Sequence, residues 1–225
     1  MDEQRAILTA RRKAGDAIRR RLLSLLGVAA LLPARSFAAS DRAQDAGKHL
    51  LILGDSLSAE YGLGRGEGWV NLLAQRATPK GWAITNASIS GETTAGGLSR
   101  LPSLLSRHQP AVTVIELGAN DALRGLSLAA TEANLRKMVG LAKAAGSKPL
   151  LVGMMMPPNF GAAYARQFSE MFGRIAAAEK VALVPFLLEG FADDMAWFQP
   201  DRIHPTAKAQ PRMLDNVWPV LSEML

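Results

Sequence analysis

Ser56 stands in a Gly-Asp-Ser turn, the block Gly54-Asp55-Ser56-Leu57-Ser58, directly after four large aliphatics, Leu50, Leu51, Ile52 and Leu53. A buried strand that breaks at a glycine delivers the next hydroxyl to the carboxyl edge of its sheet, where open α/β folds bind their ligands. Ser56 is therefore a candidate nucleophile. It is equally an ordinary turn serine unless a base, an orienting acid and oxyanion donors accompany it. The usual base for a hydroxyl is histidine, and the chain has three. His49 begins the first strand, at the far end of the sheet from Ser56, and His108 falls at a helix carboxyl end, where an imidazole suits the dipole. His204 remains, in Asp201-Arg202-Ile203-His204-Pro205-Thr206, a loop that follows the last strand on the same edge as Ser56. Asp201, three residues before it, is close enough to accept the Nδ1–H and hold the tautomer that turns Nε2 toward Ser56. A D-x-x-H pattern is common by chance, and its position after the last strand is what gives it weight. The N–H of Ser56, the N–H of Gly91 and the Asn120 amide all sit just beyond strand ends and are candidate oxyanion donors. Gly91 also reads as a turn glycine, and Asn120 as a loop cap.

The elements that must position these groups alternate. Apolar runs at 50–53, 82–87, 111–117, 150–156 and 181–185 read as strands, and helical spacing covers 69–77, 94–107, 131–145, 161–180 and 207–224, the last interrupted by Pro211 and Pro219. Such alternation predicts a three-layer α/β/α domain around a five-stranded parallel sheet. Four glycines, Gly62, Gly64, Gly66 and Gly68, alternate through a loop that fits neither a dinucleotide nor a P-loop pattern and is expected to form a flexible rim to the site.

The first forty residues differ from the rest. Arg19, Arg20 and Arg21 precede eleven uncharged residues, Leu22 to Leu32, and then Pro33 and Ser36-Phe37-Ala38. A positive segment, a short apolar one and a small-residue cleavage pattern describe a secretory signal over 1–38, too short to span a bilayer, followed by a linker over 39–48 and a domain over 49–225. An uncleaved anchor or amphipathic leader is the alternative, and the arginines also permit a twin-arginine route. Eight of the 26 Lys and Arg and three of the 20 Asp and Glu lie in 1–38, which leaves 18 against 17 in the remainder. The net charge of +6 therefore belongs largely to the leader and is not the basic stripe that nucleic-acid binding requires. The absence of cysteine excludes disulfides and thiolate zinc sites and suits an oxidising compartment, so a periplasmic or secreted location is expected.

Four blocks in order, G-D-S-L-S at 54–58, Gly91 in A-S-I-S-G-E-T-T, G-A-N-D at 118–121 and D-x-x-H at 201–204, resemble the SGNH, or GDSL-type, hydrolase superfamily. The likeness runs from about Leu50 to Leu225 and is strongest to the bacterial periplasmic subgroup of acyl-CoA thioesterases, arylesterases and lysophospholipases. It implies a flavodoxin-like strand order, Ser56 as nucleophile, Asp201 and His204 as its partners, and Ser56, Gly91 and Asn120 as the oxyanion hole, with no cofactor or metal. Three departures stand out: Ala119 where a second glycine is frequent, Arg202 inside the last block, and the four-glycine rim at 62–68, richer in glycine than the resemblance leads one to expect.

These readings predict an exported serine hydrolase of small acyl esters and thioesters that neither binds nucleic acid nor spans a membrane. Its rate is expected to fall below roughly pH 6 to 7, because a histidine base must be neutral to accept a proton. Leu123, Leu126, Met156, Pro157 and Phe160 are expected to line an apolar crevice for the acyl group, or to be ordinary core. A carbohydrate or peptidoglycan O-acetyl esterase is the alternative within the same chemistry. A metal-dependent phosphoryl-transfer domain using Asp55, Asp121 and Asp201 is the alternative outside it. An inactive binding module that uses the crevice alone is the last.

Overall fold

Leu50, Leu51, Ile52 and Leu53 have no polar break among them, and all four are fully buried, as a strand covered on both faces must be. In the computed structural model, which describes residues 48–225, they belong to β1 (His49–Gly54), an interior strand of one parallel sheet. The expected leader, 1–38, and all of the linker except Lys48 lie outside the described residues. The other strands are β2 (Ala83–Asn86), β3 (Val112–Glu116), β4 (Lys148–Val152) and β5 (Ala182–Val184), in the order β2-β1-β3-β4-β5. That is the flavodoxin-like order the resemblance implied, with Leu50 opposite both Ile84 and Val112 in register.

The helices are α1 (Trp69–Ala77), α2 (Thr94–His108), α3 (Ala119–Leu123), α4 (Leu128–Ala144), α5 (Ala162–Glu179) and α6 (Gln210–Ser222). The crossover from β1 to β2 runs one way along the sheet and the later ones run the other, so right-handed connections put α1 opposite α2, α4 and α5. Packing agrees: α1 lies on α6, α2 on α4, and α4 on α5. Trp69, Phe168 and Phe172 fill these layers, each removing an aromatic face from water, a gain of about 1.5–3 kcal/mol per large side chain. Among the described residues no helix is long and apolar enough to cross a membrane.

Several boundaries depart from the expected ones for local reasons. Strand β4 stops at Val152 rather than 156, opposite Val184, where its three-residue partner β5 ends. Helix α4 starts at Leu128, three residues early, capped by the Ser127 side chain, which accepts from the Ala130 N–H at 3.4 Å. Helix α2 keeps its expected start, with the Thr93 side chain accepting from the Gly96 N–H at 3.3 Å as its cap. Pro211 does not interrupt α6; it stands in the first turn, where no N–H is needed, and Pro219 is carried within the helix. The short helix α3, which the G-A-N-D block opens, had no signal in the periodicity.

Candidate active site

The chain leaves β1 at Gly54 and turns at once, with the N–H groups of Ser58 and Ala59 returning to the Asp55 carbonyl at 3.3 and 3.0 Å. Ser56 is thereby raised at the carboxyl edge of the sheet, half-buried, with its hydroxyl toward the loop that follows β5. That loop is closed as a small antiparallel bridge between Phe198 and Pro205, in which the Gln199 N–H donates to the His204 carbonyl at 2.8 Å and the Thr206 N–H to the Trp197 carbonyl at 2.8 Å. Arg202 turns the corner at a φ of 61°, a left-handed conformation that a non-glycine residue adopts only when its surroundings hold it there.

The closed loop presents Asp201 and His204 together. His204 Nε2 lies 2.9 Å from Ser56 Oγ, and His204 Nδ1 lies 2.7 Å from Asp201 Oδ2. The other carboxylate oxygen of Asp201 accepts the N–H groups of Ile203 and His204 at 2.9 and 3.0 Å. Burial alone would raise the Asp201 carboxyl, but these two N–H groups and the imidazole outweigh it and hold the pKa below its ordinary value. The result is an ionised acid fixed against Nδ1, which leaves Nε2 for the serine. His49 and His108 meet each other at the opposite edge, where His49 Nδ1 contacts the His108 carbonyl at 2.7 Å.

Two of the three expected oxyanion donors are backbone N–H groups, and the third is a side-chain amide. Among the described residues the N–H groups of Ser56 and Gly91 donate to no protein atom. Gly91 is the third residue of a turn closed from the Glu92 N–H to the Ile89 carbonyl at 3.1 Å, and its φ of 78° is one that glycine adopts without strain. Asn120 stands on the first turn of α3 and donates one Nδ2 hydrogen to Asp55 Oδ2 at 3.0 Å, which leaves the second.

The sequence reading missed what lies beneath. Glu116, the last residue of β3, is wholly buried, and its Oε2 accepts from Ser58 Oγ at 2.7 Å and from the Asp55 N–H at 3.3 Å. Its Oε1 has no partner among the described residues. Burial, then the neighbouring Asp55 charge, keeps the Glu116 carboxyl well above the ordinary range. Burial likewise pushes Asp55 up to about 6, against the opposing pull of the Leu57 N–H, His204 and the Asn120 amide. The only signal for Glu116 was a lone acid at the end of an apolar strand.

The glycine rim winds around another carboxylate. Glu60 accepts from the N–H of Gly66 at 3.1 Å, the N–H of Gly68 at 2.7 Å and the Asn71 amide at 2.7 Å. Tyr61, at the start of that loop, lays its ring on His204 with centroids 4.3 Å apart, and its carbonyl takes a hydrogen bond from the Gln199 amide at 2.8 Å. Tyr61, Leu57, Leu63, Pro205 and Gln210 line the concavity beside Ser56 and His204. The residues expected to form the acyl crevice are placed differently from one another: Leu123, Leu126, Pro157 and Phe160 are exposed, while Met156 is buried in the core. The carboxylates of the metal alternative are engaged apart, Asp55 by Leu57 and Asn120, Asp121 by Thr94, and Asp201 by His204. Among the described residues no three acids or histidines converge as a metal cage.

Known proteins resemble this chain along most of its length. The model of the GDSL-like lipase/acylhydrolase family matches residues 52–211. The chain is 50% identical over 184 residues to the esterase TesA of Pseudomonas aeruginosa, covering 81% of this chain and 92% of that protein. It is 43% identical over 166 residues to thioesterase 1/protease 1/lysophospholipase L1 of Escherichia coli K12, covering 74% and 79% of the two chains. A crystal structure of TesA superposes with a TM-score of 0.76 at 50% identity, covering 79% of this chain and all of that one.

Proposed function

Because the chain belongs to the GDSL-like lipase/acylhydrolase family and is a hydrolase of that family, we propose that it cleaves carboxylic esters and acyl thioesters through an acyl intermediate on Ser56. The observation that carries the proposal is the hydrogen-bonded line from Ser56 Oγ through His204 to Asp201, at 2.9 and 2.7 Å. In this reading His204 Nε2 takes the serine proton as Oγ attacks the substrate carbonyl. Asp201 keeps Nδ1 protonated and stabilises the imidazolium that forms. The N–H groups of Ser56 and Gly91 and the free Asn120 amide hydrogen receive the negative charge on the carbonyl oxygen. His204 then returns the proton to the departing alcohol or thiol, and a water activated by the same imidazole releases the acid.

Acyl-CoA, aryl esters and lysophospholipids are the proposed substrate classes, in keeping with the names of the relatives. The leader at 1–38 supports an exported, periplasmic protein. The test is release of thiol from octanoyl-CoA and of p-nitrophenol from p-nitrophenyl acetate, for wild type and Ser56→Ala, with and without EDTA. Wild type is expected to cleave both in either buffer. The variant should lose about 10³-fold or more in rate, retaining only what the oxyanion donors provide. A variant with undiminished rate, or a wild type silenced by EDTA, overturns the proposal.

A further inference from the structure

Helix α3 carries more than Asn120. Asp121, the next residue, is buried and takes two hydrogen bonds from Thr94, from its N–H at 2.8 Å and its hydroxyl at 2.6 Å. Arg124, at the carboxyl cap of the same helix, is exposed. Its N–H donates to the Asn120 carbonyl at 3.2 Å, and its Nη2 donates to the Gly91 carbonyl at 2.8 Å. One residue thus spans the two segments that bear Gly91 and Asn120, the turn on one side and the helix on the other.

We propose that Arg124 is a positioning residue of the oxyanion hole, its guanidinium holding the Gly91 turn at the distance from Asn120 at which both donors reach one oxygen. The proposal rests on the assignment of Gly91 and Asn120 as donors given above. Glycine accepts either sign of φ, so the tip of the Ile89–Glu92 turn has little conformational preference of its own and depends on what grips it from outside. Three grips exist. Arg100 Nε takes the Glu92 carboxylate at 2.8 Å and ties it to α2. Asp121 ties the buried side through Thr94, and Arg124 ties the exposed side at Gly91 itself.

A single exposed hydrogen bond contributes little to folding, because water replaces it when it is lost. Its geometric effect is larger, since oxyanion donors work only within about 2.7–3.1 Å of the charged oxygen. The planar fork of arginine suits a carbonyl approached across a gap, whereas a lysine offers one point donor on a shorter reach.

The test compares kcat and KM on p-nitrophenyl acetate for wild type, Arg124→Ala, Arg124→Lys and Ser56→Ala, with melting temperatures for each. For Arg124→Ala, kcat is expected to fall about 10- to 50-fold, less than the 10²–10³ of deleting a donor, with KM within about twofold and the melting temperature within about 2 °C. Arg124→Lys should recover part of kcat, and millimolar guanidinium added to Arg124→Ala should raise its kcat while leaving wild type unchanged. A kcat for Arg124→Ala within about twofold of wild type overturns the proposal. So does a loss carried by KM, or one that neither lysine nor guanidinium restores. If Ser56→Ala is inactive while Arg124→Ala is normal, only the positioning role falls; if Ser56→Ala is fully active, the oxyanion assignment falls with it.

Discussion

Asp55→Asn is expected to raise stability at neutral pH relative to wild type while slowing catalysis, because the same carboxylate is costly to bury and useful to Asn120. On folding, its pKa rises from the ordinary 3.8 to about 6. At about 1.4 kcal/mol per unit, a rise of roughly two units makes the ionised folded form about 3 kcal/mol worse than the ionised unfolded one. Between these two values the folded chain keeps a proton that the unfolded chain has released. The unfolding free energy therefore falls as pH rises through the window and stays lowered above it. Asparagine does not titrate. Subtracting the unfolding free energy of wild type from that of the variant cancels the titrating groups that do not interact with Asp55, and the difference should move by about 2–3 kcal/mol in favour of the variant between pH 4 and pH 7. Removing the Asp55 charge also relieves Glu116, which it repels, and so adds in the same direction. Urea titrations at four pH values across that range measure the difference directly. The kinetic cost follows from the Asn120 amide, which loses its carboxylate acceptor at 3.0 Å, so kcat should fall about 10- to 100-fold at constant KM. A stability difference that stays flat within about 0.5 kcal/mol from pH 4 to pH 7 would refute the account of the buried pair.

Two further substitutions probe the loop and the sheet edge. Asp201→Asn keeps the size of the group but offers His204 Nδ1 an amide in place of a carboxylate at 2.7 Å, so kcat is expected to fall about 10³- to 10⁴-fold with little change in KM; a loss under tenfold in steady-state assays would show that the imidazole does not depend on this acid. Gly153→Ala places a methyl 2.3 Å from the Pro185 carbonyl oxygen, a backbone atom that cannot rotate away, where the chain leaves β4 beside β5. A destabilisation of about 3 kcal/mol is expected, seen as a melting temperature lower by about 6–12 °C, and an unchanged melting curve would mean that this edge yields freely.

The alternation of apolar runs with helical periods was legible because both signals are local: four aliphatics before Gly54 read as a buried strand whatever surrounds them. Asp201 and His204 were legible for the same reason, since three residues of one loop are enough to bring acid and imidazole within reach. The pairing of His204 with Ser56, 148 residues away, was inferred from the family resemblance and from both lying at carboxyl ends of strands, a rule that names an edge and gives no distance. Glu116 was invisible because its role depends on lying beneath Asp55 and Ser58, which adjacent strands bring together from 58 and 61 residues away. Arg124, between Leu123 and Gly125, carried no local signal of its contact with Gly91, 33 residues before it. Helix α3 had to form, and β1 and β3 had to pair, before its guanidinium faced the Gly91 carbonyl. Periodicity and turn chemistry, which act within a few residues, determined the layers, the strand ends and the residues presented there. Burial of one carboxylate against another and the clamp on the Gly91 turn are long-range contacts, and only the packed chain, which excludes water and sets those distances, decided them.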